Sequence, residues 1–166
     1  MYRSLEDFKK DWQYESDSTV KMLNALNDES LNQKVTPDGR SLGFLAWHLV
    51  KTIPEMLGYT GLKIEGPAES DPVPEKTADI ASAYEKTSAS FLKALGENWN
   101  DEMLTTEDEM YGEKWKKGMT LMYLNLHQAH HRGQMTVLMR QAGMKVPGVY
   151  GPSKEEWSAF GMEPME

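Results

Sequence analysis

The sequence predicts an all-α protein, a four-helix bundle with long crossover connections and a short C-terminal helix. Three observations predict it. Four long segments repeat apolar residues at three- and four-residue steps. The breaks between them are rich in Gly, Pro, Asp and Asn. No alternating pattern of strand type persists for any length. A chain of 166 residues suits one domain, 1–166, long enough to bury a core without disulfides or structural metals.

The first helix is expected over about 4–27. Leu5, Phe8, Trp12, Thr19, Leu23 and Leu26 share a face behind Ser4, an N-cap residue. Glu15 and Ser16 interrupt this stripe and read as a solvated gap. After the turn TPDGR, Ser41 caps LGFLAWHLVKTIPEMLGY, apolar enough to be largely buried and expected to kink at Pro54, which lacks an N–H. Residues 60–76 hold three prolines and read as a long crossing loop. Thr77 is the expected cap of a third helix whose inner face carries Ile80, Tyr84, Thr87, Phe91 and Leu95. From about 98 to 117 no period is sustained, and Trp99, Met110 and Trp115 are expected to pack over one end of the bundle. The fourth helix spans 119–142 and stops at Gly143, a C-cap glycine. Ser153 and Glu156 form a capping-box pair before a short helix with Trp157 and Phe160.

Composition narrows the function. A net charge of −8 repels phosphate backbones and anionic lipid, so no nucleic-acid partner is expected. No run reaches the roughly 18 apolar residues of a membrane span, and MYRSLEDFKKDW lacks the apolar core of a signal peptide. A cytoplasmic protein is the expectation. With no cysteine in the chain, any sulfur chemistry needs a thiol from outside.

Three of the four histidines crowd into LNLHQAHHRGQ on the fourth helix. At about 100° per residue, His127 and His131 lie within roughly 40° of each other, on the face shared with Leu124 and Leu138. Neutral imidazoles four residues apart can present nitrogens to one metal ion. His130 lies toward the edge of that face and is read as a flanking residue. Arg132 projects the opposite way, toward surface or subunit contacts. The remaining histidine, His48, sits in AWHLV of the second helix. Three histidines on two packed helices make a three-nitrogen site with an open position for water or substrate. Glu55, two turns beyond His48, is the candidate catalytic base or additional carboxylate near that site. A lone inward histidine is more commonly a hydrogen-bonded core residue, and Glu55 also reads as a partly exposed residue behind the kink.

H-x-x-x-H-R-G-Q on the last long helix, W-H-L on the second, and the tail RQAGMKVPGVYGPSKEEW together resemble the DinB-like (DinB/YfiT) family over essentially the whole chain. The resemblance implies a four-helix bundle holding a divalent metal, usually zinc or nickel, on His48, His127 and His131. It also implies a homodimer. Enzymes of similar fold and metal site use low-molecular-weight thiols, so the implied activity is S-transfer from an external thiol to a small electrophilic substrate. The alternatives are metal-dependent hydrolysis with Glu55 as base, and a non-catalytic metal-binding stress-response or interaction protein.

Overall fold

The computed structural model describes residues 1–164. Four helices form its frame: α1 Leu5–Asn24, α2 Leu42–Gly58, α3 Thr77–Asn98 and α4 Lys117–Gln141. Helices α1 and α2 each pack against both α3 and α4, so the two consecutive helices α1 and α2 lie across the diagonal of the bundle. That arrangement needs the long connections seen in the sequence. Residues 60–76 form no helix or strand.

Local chemistry fixes where the helices begin and end. The Ser4 hydroxyl accepts from Asp7 N at 3.2 Å, and the Ser41 hydroxyl from Phe44 N at 3.1 Å. Each satisfies one of the backbone donors left unpaired at a helix start. The first helix stops at Asn24, short of the expected Leu26 to Asn27, because Asn27 caps a separate 3-10 turn over Asp28–Asn32. Helix α2 runs through Pro54 without interruption. Thr77 is the first residue of α3 and not its cap. The capping oxygen comes from Asp28, which accepts from Thr77 N at 2.8 Å and from its hydroxyl at 3.1 Å. A carboxylate there also complements the positive end of the helix dipole. Gly143 follows α4 with φ 73°, the left-handed geometry of a C-terminal glycine.

The segment after α3 departs from the all-helical expectation. Residues Glu107–Met110 (β1) and Glu113–Lys116 (β2) pair as an antiparallel hairpin, with Glu107 opposite Lys116 and Met110 opposite Glu113. Tyr111 and Gly112 form its tip with φ of 53° and 85°, the two positive values of a type I′ turn. Helix α4 consequently starts at Lys117, two residues before the expected position. The Lys117 ammonium is buried, donating to Asp108 Oδ1 at 2.6 Å and lying 5.0 Å from the Trp99 ring centre. These contacts clamp the hairpin to the end of the bundle, where Trp99 and Met110 are buried as expected.

The core is continuous through all four helices. At its centre Trp12 stands edge-on to Phe91 at 5.0 Å, and its indole N–H donates to Ser88 Oγ at 2.9 Å. Ser16, expected in a solvated gap, is buried against the same Ser88 hydroxyl at 2.9 Å. Glu15 beside it carries an ion pair with Arg132. Arg132 is therefore not a surface residue. Its guanidinium is almost wholly buried and also donates to Glu15 O at 3.0 Å, Thr19 Oγ1 at 2.8 Å and Tyr150 Oη at 2.7 Å. The face of α4 opposite the histidines is buried too, because α4 touches α1 as well as α2. At the C-terminal end, the expected short helix with Trp157 and Phe160 is a single 3-10 turn, Trp157–Phe160. Only half of the expected capping box forms, with Glu156 accepting from Ser153 N at 3.2 Å while the Ser153 hydroxyl has no partner.

Candidate metal centre

One hydrogen bond sets the register that brings His48 to His127. Gln128, fully buried on α4, donates from Nε2 to Leu49 O of α2 at 2.9 Å and accepts from the Tyr84 hydroxyl at 3.2 Å. Leu49 and Gln128 each directly follow a histidine in the chain. Locking them side by side places the two imidazoles opposite one another across the α2–α4 groove. His48 Nε2 and His127 Nε2 are 3.0 Å apart. One turn further along α4, the His131 ring lies 4.4 Å from that of His127 and 4.6 Å from that of His48.

The potential ligand atoms of His48, His127 and His131 all lie within 4.8 Å of one another. Three ring nitrogens bound tetrahedrally at about 2.0–2.1 Å would sit about 3.3–3.4 Å apart. The 3.0 Å between His48 Nε2 and His127 Nε2 is near that spacing, and His131 offers a nitrogen within 4.8 Å of both. Its protonation also suits a cation. Burial, reinforced by the neighbouring imidazoles, pushes His48 and His127 down to about 4. Burial lowers His131 as well. All three rings are thus neutral at neutral pH, the state in which a nitrogen lone pair can bind metal. These three residues can hold a metal ion.

Around the cluster, His131 Nδ1 lies 2.8 Å from Gln134 Oε1, and Gln134 Nε2 lies 3.0 Å from His130 Nε2. His130 is exposed and outside the group of three. Phe44 stacks on His48 with ring centres 5.9 Å apart, and the Arg40 guanidinium lies over the Phe44 ring at 5.0 Å.

The histidines open onto a cavity of about 690 Å³ walled by Phe44, Trp47, Glu55 and Tyr111 and floored by His48 and His127. Seven residues separate His48 from Glu55, so both project from the same side of α2. The Glu55 carboxylate receives the Tyr111 hydroxyl, 3.0 Å from each of its oxygens. Burial raises the Glu55 pKa, and the bond from Tyr111 partly opposes that rise. Tyr111 itself is pushed above the ordinary phenol range, first by burial and then by the adjacent carboxylate. Sequence reasoning missed Tyr111 because it missed the hairpin. The available signal was Tyr111-Gly112 between two four-residue segments, a turn more familiar with Asn in the first place.

Among the described residues, no helix is long and apolar enough to cross a membrane. The DinB family model matches residues 1–165. The YrdA protein of Bacillus subtilis (strain 168) is 47% identical over 163 residues, covering 98% of each chain. A DinB-like protein from Bacillus cereus ATCC 10987, solved by crystallography, is 49% identical, with a TM-score of 0.87 over 90% of this chain and all of that one. The B. subtilis DinB-like protein YjoA, at 16% identity, has a TM-score of 0.66 over 86% of this chain and 97% of its own, a likeness of fold.

Proposed function

Since the chain belongs to the DinB family, we propose that it binds a divalent metal, zinc or nickel, through His48, His127 and His131 and transfers an external low-molecular-weight thiol to a small electrophile. The observation that carries this reading is the gathering of three neutral imidazoles, two of which, His48 and His127, line a cavity. Three ligands leave a coordination position for a reactant, whereas a structural metal is typically enclosed by four. A divalent ion held there supplies Lewis acidity, which makes a thiol lose its proton near neutral pH and keeps its sulfur nucleophilic.

The chain's own part in the reaction is positional and protonic. Phe44 and Trp47 give the cavity apolar walls that exclude water from the sulfur. Glu55, with its raised pKa, takes the S–H proton. As the S–C bond forms and the bond to the leaving group breaks, Glu55 returns that proton to the departing atom. Tyr111 steadies the carboxylate by donating to it. With no cysteine in the sequence, the thiol comes from solution.

Glu55 on the cavity wall also suits hydrolysis, in which the same carboxylate accepts a proton from water. The test begins with elemental analysis of purified, untagged protein. Cobalt-substituted protein is then titrated with 2-mercaptoethanol and with cysteine at neutral pH. A change in the visible spectrum, together with turnover of a reactive electrophile only when thiol is present, supports S-transfer. An unchanged spectrum with metal still bound removes that reading and leaves hydrolysis or a non-catalytic staple between α2 and α4.

Assembly as a homodimer belongs to the same proposal. Tyr123, Leu126 and Val137 expose apolar surface along one side of α4, a strip that a second copy would cover. Light scattering should give twice the chain mass of 18.9 kDa, and a monomer at micromolar concentration would contradict it.

A further inference from the structure

We infer that Gln134 is a positioning residue that selects the tautomer of His131, and that His130 anchors it. This rests on the metal reading above for its consequence but not for its geometry. A ligating imidazole must turn a bare nitrogen lone pair toward the metal, so its other nitrogen has to carry the hydrogen. The Gln134 Oε1 atom, 2.8 Å from His131 Nδ1, is an acceptor only. It therefore holds the proton on Nδ1 and leaves Nε2 bare, free to serve as the ligand atom.

The opposite end of the amide is also committed. Gln134 Nε2 donates to His130 Nε2 at 3.0 Å, so rotation of the amide would break two bonds together. This gives the extra imidazole of the HHRGQ segment a role outside the ligand set. Neither His48 nor His127 has a side-chain partner of this kind among the described hydrogen bonds, where their Nε2 atoms meet only each other. His131 is the ligand whose orientation is fixed from behind. Gln134 is exposed on α4, so its replacement leaves the core untouched.

The experiment compares wild type, Gln134→Leu, Gln134→Glu, His130→Ala and the Gln134→Leu/His130→Ala double variant. Cobalt affinity is read by chelator competition, and the His131 tautomer of metal-free protein by long-range proton–nitrogen NMR. Leucine keeps helix propensity close to that of glutamine, so the metal-free unfolding midpoint should stay the same. Cobalt affinity of Gln134→Leu should fall about 10- to 100-fold, the usual loss when the partner of a metal-binding histidine is removed. Glutamate, still an acceptor, should restore most of it. His130→Ala should weaken binding in wild type and add nothing in the Gln134→Leu background. The NMR spectrum should show the Nδ1–H form of His131 in wild type and a mixture of tautomers in Gln134→Leu.

Equal cobalt affinity in wild type and Gln134→Leu, with the metal reading intact, overturns the inference. So does an Nε2–H tautomer in metal-free wild type. Wild-type protein that takes up no cobalt overturns the metal reading instead, while the tautomer spectrum still decides the role of Gln134.

Discussion

Acidification should release metal from this centre far less readily than from ordinary histidines. The perturbation is a change from about pH 7 to about pH 5, across the usual imidazole pKa of about 6.5. Over that interval the neutral fraction of an ordinary histidine falls about 25-fold, so three independent ligands would lose affinity by roughly ten-thousandfold. Here His48 and His127 are held down to about 4 by burial and, after it, by the neighbouring His131 ring. Each stays about nine-tenths neutral at the acidic end, and together they cost less than about twofold. His131 is lowered in the same direction. Even if it titrated as an ordinary histidine, the total loss would stay below about 50-fold. The assay is competition with a chromophoric chelator of known proton affinity, at fixed ionic strength, with cobalt or zinc at each pH. A loss near ten-thousandfold would refute the claim that burial keeps these rings neutral.

In metal-free protein the same burial acts on stability. The unfolded chain takes up protons on His48 and His127 below about 6.5, whereas the folded chain resists until about 4. Stability present above the upper value is thus lost as pH falls toward the lower one. Urea unfolding should show that slope, below about 3 kcal/mol per ring because the rings are partly exposed and screened, and His48→Gln should flatten it. Arg132→Met should cost about 3–5 kcal/mol by stranding the Glu15 carboxylate. Pairing it with Glu15→Met should recover most of that loss in the same urea measurement, and a single-variant cost under about 1 kcal/mol would show that the ion pair contributes little. Tyr111→Phe removes the bond that opposes the raised Glu55 pKa, so the Glu55 carboxyl should titrate at still higher pH by carbon NMR. No movement would mean that the phenol does not hold the carboxylate in solution.

Periodicity made the four helices legible, and serine chemistry at residues 4 and 41 marked two of their starts. The triad was legible because His127 and His131 are four residues apart and no other histidine but His48 was left to join them from another helix. The rest depends on contacts between distant residues. The capping group of α3 is Asp28, nearly fifty positions upstream. Arg132 was assigned outward because a helical wheel supposes one buried face, yet α4 is covered by α2 on one side and α1 on the other. The hairpin escaped notice because its strands are four residues long and mostly charged, so few apolar residues mark an alternation. Gln128 carries no sequence mark at all, although its bond to Leu49 O aligns the histidines.

Tyr111 has a consequence for anyone improving this protein by selection. Its φ of 53° is a conformation in which asparagine or glycine is at ease and an aromatic residue is strained by roughly 1 kcal/mol. Its ring, about half exposed, recovers part of that through Tyr59 and Trp115. A library screened for heat tolerance would therefore favour relaxing the turn, and each such winner would leave Glu55 without its donor. Survivors would look better by melting point while losing a wall of the cavity. Directed evolution of this scaffold should score ligand occupancy alongside thermal survival, or hold position 111 constant.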